Sequence, residues 1–302
     1  MTGPFRCSSE SRVFGDPMEG TASTVRSFLV VEFAGPWGVE ALSDSRLDAE
    51  VKERLRTLEA STGIRPLLMR RPRRRGRAGT RVLAAHAAGQ DPWTETALLA
   101  DPRELLDVDL TPLADGRSLG LEVNEGPVFL VCTHGRHDAC CAERGRPLYA
   151  AMAEEAPGLA WEVSHIGGDR FAPNVLVLPY GLYYGRLDAG DVPAFVGAHR
   201  AGLLDLDHLR GRSAYAFPVQ VAEIHLRRHL GVAGVAPLPL VERSRSGRET
   251  LVVFAVEGDR WEVRVHTEPG EARQLTCSAP RPARPLVHRL IAIEPVAGRT
   301  GL

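Results

Sequence analysis

Short apolar runs bounded by Gly or Pro recur along the chain and read as strands. Residues 28–33 are apolar and rich in β-branched side chains, and Gly35-Pro36 stops them. Residues 46–60 set Leu47, Leu55 and Leu58 among charges, the spacing of an amphipathic helix that closes near Gly63. Residues 66–70 and 80–85 predict two further strands. The order strand–helix–strand–strand is half of a compact α/β domain. Leucines recur over 98–110, with Asp101-Pro102 as a helix start. Residues 116–126 read as a connector, which places a domain boundary near residue 118.

The pattern then repeats. Residues 127–131 form a buried strand with Cys132 at its C-terminal end, the edge of open α/β sheets where ligands bind. The following loop holds His134, His137, Cys140 and Cys141, and residues 144–156 have helical spacing. Residues 161–164 are a strand that delivers His165, and Gly167-Gly168 permits a positive φ. Residues 174–178 and 182–184 make a hairpin, and 189–206 a closing helix. That order is the order of a thioredoxin-like core, with both ligand loops at one end. Residues 217–230 predict a helix with Pro218 in its first turn and Gly231 at its end. An alternating hairpin over 250–255 and 260–266 follows, then a strand over 286–293.

The expected fold is therefore α/β in three parts. Residues 1–118 form a smaller α/β domain, for which a thioredoxin-like fold is one option. Residues 119–209 form the thioredoxin-like domain, and residues 210–302 an α+β tail. Residues 1–25 read as irregular, with Cys7 a free, partly exposed thiol.

Composition narrows the function. The chain has 302 residues, 44% hydrophobic and 25% charged, with net charge −1. Nothing global favours nucleic acid or membrane. No run of 18 apolar residues spans a bilayer, and no apolar leader follows the first residues, so a cytoplasmic protein is expected. Five cysteines are an odd number in a chain too long to need a disulfide framework, and reduced thiols or metal ligands fit better. Six arginines lie within residues 70–77; without interleaved aromatics they read as a solvated hairpin loop, with an acidic redox partner or a nucleotide as alternative occupants.

The chemistry concentrates in residues 132–171, which hold Cys132, Cys140, Cys141, His165 and Asp169. Thiolates and imidazoles are the usual ligands of iron–sulfur clusters. Cys132 and Cys141, Ser164-His165, Gly167-Gly168, Arg170-Phe171-Ala172 and Leu178-Pro179 resemble the sucrase/ferredoxin-like family. Cys7-Ser8, Glu19-Gly20-Thr21-Ala22 and Gly35-Pro36-Trp37-Gly38 resemble the start of its bacterial members. The resemblance implies a thioredoxin-like ferredoxin with a 2Fe–2S cluster, and an unidentified redox protein as partner. Carried over by position, the ligands are Cys132, Cys141, His165 and, where the family's eukaryotic branch has a second histidine, Asp169. That carboxylate is a harder donor than imidazole and adds negative charge, which lowers the potential. Cys140 and Cys277 are its rivals as fourth ligand.

Two other functions compete with the one-electron carrier or redox sensor. One is a thiol-redox enzyme, which the lack of Cys-x-x-Cys weakens. The other is a zinc-binding structural or interaction protein built on Cys132, Cys141 and His165. His134 and His137 read as solvated loop residues, and His225 and His229 as a helix face. No arrangement in the sequence pairs two carboxylates as a glycosidase requires, so an electron carrier is favoured over a catalyst.

Overall fold

The computed structural model describes residues 4–71 and 79–296. Most of the arginine run, 72–77, lies outside the described residues. In chain order the elements are α1 (Cys7–Val13), β1 (Ser27–Glu32), α2 (Ala41–Asp44), α3 (Ala49–Thr62), β2 (Arg65–Arg70), β3 (Thr80–His86), β4 (Trp93–Leu99), α4 (Thr111–Ala114) and β5 (Glu122–Val123). There follow β6 (Val128–Cys132), α5 (Ala139–Glu155), β7 (Ala160–Val163), β8 (Asn174–Leu178), β9 (Leu182–Gly185), α6 (Val192–Arg200), β10 (Leu209–Arg212) and α7 (Phe217–Leu230). The last four strands are β11 (Leu240–Ser246), β12 (Glu249–Val256), β13 (Asp259–Pro269) and β14 (Leu286–Pro295).

The fold is mixed α/β, with a ten-stranded sheet in the order β10-β9-β8-β6-β7-β2-β1-β3-β4-β5 and a separate four-stranded sheet β11-β12-β13-β14. Within the large sheet one topology occurs twice. The pair β1–α3–β2 is parallel, with β3 and β4 added antiparallel beside β1. The pair β6–α5–β7 is parallel, with β8 and β9 added antiparallel beside β6. The halves join through β2 and β7, where Met69 pairs with Val163 and Arg70 with Glu162. One sheet thus runs across the boundary placed near residue 118, and β10 straddles the one placed at 210.

The apolar runs are continuous because apolar residues pack on both faces of the sheet. Phe28, Val30, Met69, Leu130 and Val163 share one core that spans both halves. Their neighbours Leu29, Val31 and Leu68 pack into a second core with Val51 and Leu55 of α3. Phe129 and Val131 pack into a third with Leu148 and Met152 of α5. Local signals set several boundaries. The Asp48 side chain accepts from Glu50 N at 2.9 Å and caps α3, which ends at Gly63 with φ +72°. Helix α7 has Pro218 in its first turn and ends at Gly231.

The structure adds three strands that the sequence did not announce and corrects two expectations. Trp93–Leu99 is a strand whose buried Thr94, Glu95 and Thr96 hid it from a hydrophobicity reading; Leu119 N donates to the Glu95 carboxylate at 3.0 Å. Strand β10 was concealed by two buried arginines, Arg210 and Arg212. Strand β11 is exposed throughout and is held by backbone pairing to β12. The closing helix is Val192–Arg200, shorter than 189–206. Residues 7–13 are helical, and Cys7 is buried at 1% exposure.

Candidate metal centre

Strands β6 and β7 run parallel, so Cys132 and the turn beginning at Ser164 emerge at the same end of the sheet. Between them α5 begins at Ala139, five residues earlier than its spacing predicts, because Asp138 caps it by accepting from Cys140 N at 2.8 Å. Cys140 and Cys141 therefore stand in the first turn of a helix, where the dipole favours thiolate. Gly145 lets this helix lie against β6: a Cβ there would come within 2.1 Å of the Cys132 carbonyl oxygen.

Cys132, Cys141 and His165 each offer a donor atom, and the three lie within 4.8 Å of one another. His137, His165 and Asp169 form an overlapping group of the same size. Asp169 touches both, with Oδ1 3.0 Å from His165 Nδ1 and 3.3 Å from Cys141 Sγ. Cys140 and Cys277 instead fall into a different group with Cys7 and Asp138.

Charge is shared unevenly. A hydrogen bond from Cys141 holds the Cys132 thiol well below its usual pKa against its own burial, and His165 adds to this. The same bond, together with burial, pushes Cys141 well up. Burial opposes the charged form of His165, yet Asp169 and Cys132 outweigh it and raise the ring to about 9. Burial likewise disfavours the Asp169 carboxylate, and His165 nevertheless keeps it below its usual range. Without a metal, these shifts favour the thiolate at Cys132, the thiol at Cys141, the imidazolium at His165 and the carboxylate at Asp169.

Several neighbours escaped the sequence reading. His134 is buried rather than solvated: His165 N donates to its Nδ1 at 3.2 Å, which leaves Nε2–H to donate to Gly38 O at 2.9 Å. His137 stacks on the His165 ring at 3.7 Å between centroids. Trp37 packs edge-on to His134, so residues 37–39 of the N-terminal half roof the site. Arg210, fully buried, donates to Gly167 O at 2.9 Å and Asn174 Oδ1 at 2.8 Å. It also reaches Thr21 O at 2.5 Å, and so fixes the glycine turn that precedes Asp169. In the sequence, the motif around Trp37 was the available signal for the roof. Arg210 left none, because a lone arginine in a short strand reads as surface. His225 and His229 of α7 join none of the metal-capable groups among the described residues.

Residues 18–211 match the family described as Sucrase/ferredoxin-like. The chain belongs to the sucrase/ferredoxin-like family. No curated protein and no solved structure gave a significant match. The sucrase/ferredoxin-like span contains Cys132, Cys141, His165 and Asp169 together with the roof at 37–39 and Arg210. Cys7 and Cys277 lie outside it. Among the described residues no helix is long and apolar enough to cross a membrane.

Proposed function

We propose that this protein is a one-electron carrier or redox sensor with a 2Fe–2S cluster on a thioredoxin-like half, residues 128–185. The observation that carries the reading is the convergence of Cys132, Cys141 and His165 on one point at the end of two parallel strands. The donor set fits the group: two thiolates and an imidazole are the ligand types that such clusters take. His165 Nδ1 supports the fit, being buried without an aligned hydrogen bond although Asp169 lies 3.0 Å away.

A bound 2Fe–2S cluster supplies a centre that accepts and releases a single electron. Cys132 and Cys141 would hold its buried side, and His165 its outer side with Asp169 as the fourth donor. His134, by fixing the His165 backbone, orients that ligand. The cysteines are each 1% exposed, whereas His137 and His165 retain some solvent access. A partner protein would therefore exchange electrons at the imidazole edge.

The test is anaerobic purification and reconstitution with iron and sulfide. The expected result is visible absorption with about two irons and two sulfides per chain, lost in Cys132→Ser. A colourless protein with zinc on Cys132, Cys141 and His165 would support the structural alternative instead. A metal-free protein with a reactive Cys132 would support a thiol-redox enzyme.

A further inference from the structure

A second group of soft donors sits on the other side of the Cys140–Cys141 peptide. The sulfurs of Cys7, Cys140 and Cys277 lie 3.8 Å (Cys7 to Cys140), 3.4 Å (Cys140 to Cys277) and 3.7 Å (Cys277 to Cys7) apart. The Asp138 carboxylate is 3.6 Å from Cys7 Sγ, and all four donors fall within 4.8 Å of one another. They arrive from three distant parts of the chain: α1, the start of α5, and the segment between β13 and β14.

This triangle has the size of a metal site. Zinc–thiolate bonds of about 2.3 Å in a tetrahedron give sulfur–sulfur edges of about 3.8 Å. A disulfide needs sulfurs about 2 Å apart and joins two of them, leaving the third over. The three separations here are nearly equal, and no pair is bonded. We propose that Cys7, Cys140, Cys277 and Asp138 form a closed, structural zinc site, distinct from the centre built on Cys132, Cys141 and His165.

The surroundings suit that ion. Cys7, Cys140 and Asp138 are buried and Cys277 is half-buried, as a closed structural site requires. Asp138 is oriented by Cys140 N at 2.8 Å and Cys277 N at 2.7 Å, and an ionised carboxylate keeps further lone pairs for a metal. Cys140 is in the first turn of a 17-residue helix, which favours its thiolate. Three thiolates and a carboxylate would exceed the charge of one divalent cation; the nearby Arg6 and Arg170 are engaged by Glu143 at 2.6 Å and Asp16 at 3.8 Å. Arg144 anchors the start of α1 by donating to Ser8 Oγ at 2.7 Å. Arg273 binds Asp16 at 2.6 Å and lashes the Cys277 segment to the N-terminal region. The ion would clamp both of these to the helix turn whose next residue, Cys141, faces the redox centre.

The proposal stands apart from the cluster reading, and the test separates them. Full-length protein would be analysed for zinc by mass spectrometry and loaded with cobalt(II) in zinc's place. One zinc per chain is expected to persist in Cys132→Ser/Cys141→Ser and to be lost in Cys7→Ser and in Cys277→Ser. Cobalt should give the ligand-field bands of a tetrahedral thiolate site in the first variant and not in the other two. Zinc or cobalt that follows Cys132 and Cys141, or iron bound by Cys7 and Cys277 in place of zinc, overturns the assignment. If the double variant does not fold, Cys277→Ser alone decides, since Cys277 is at the half-buried rim: an unchanged metal content there also overturns it.

Discussion

At the scale of single residues, Asp169 governs the charge of the candidate metal site. Its carboxylate favours the protonated form of His165 and contacts Cys141, so metal binding competes with protons at both. Replacing Asp169 by His exchanges a carboxylate for neutral imidazole. The expected outcome is a more stable cluster with a raised potential, read by EPR and redox titration; an unchanged spectrum would exclude Asp169 as a ligand. A different residue sets part of the acid sensitivity. His199 sits among Phe129, Tyr184 and Phe195 with Nε2 lacking a partner, and burial depresses it to about 4. Its folded pKa is below the unfolded value of 6.5, so the unfolded chain binds the extra proton first. Its contribution is intact above pH 6.5 and declines as pH falls toward 4, by about 3 kcal/mol in all. His199→Leu should flatten that window in urea titrations at pH 7 and pH 5.

At the scale of elements, the approach of α5 to β6 decides whether the ligands meet. Gly145→Ala would drive a methyl group into the Cys132 carbonyl, a backbone contact that cannot rotate away. The expected cost is about 1–3 kcal/mol, with impaired cluster assembly measured by absorbance after reconstitution. Gly197→Ala in α6, with nothing within 4 Å of the new methyl, is the control and should be neutral or slightly stabilising. The sequence announces α5 poorly because Gly145 and Pro147 stand in its second and third turns. The capping carboxylate of Asp138 and the packing onto β6 carry the helix back to Ala139 regardless. The strands were more legible: β1, β2, β3, β6 and β8 are apolar runs with clear stops. Strands β4, β10 and β11 were not, since their stability comes from pairing and from buried polar partners.

At the scale of the whole molecule, α7 couples the two sheets. Val219, Ala222 and Leu226 pack against Val252 and Phe254 of the small sheet, while Ile224 enters the core of the large one. Glu223 is buried between Arg212 of β10, at 3.2 Å, and Arg227, at 2.8 Å. Burial alone would raise its pKa, and the two guanidinium groups instead hold it below the carboxylate range. Glu223→Ala leaves two buried cations facing each other, with an expected loss of about 3–5 kcal/mol, seen as a lower midpoint in thermal unfolding.

By itself the sequence determined that Cys132 and His165 stand at strand ends and that the family is sucrase/ferredoxin-like, because strand periodicity and motif spacing are local properties of the chain. Only the tertiary structure decided that β2 and β7 fuse the halves into one sheet, that His134 and Arg210 brace the site, and that Cys7 meets Cys277 across 270 positions. Such meetings depend on strand order and on which buried polar groups find partners, and neither quantity is written in any single stretch of residues.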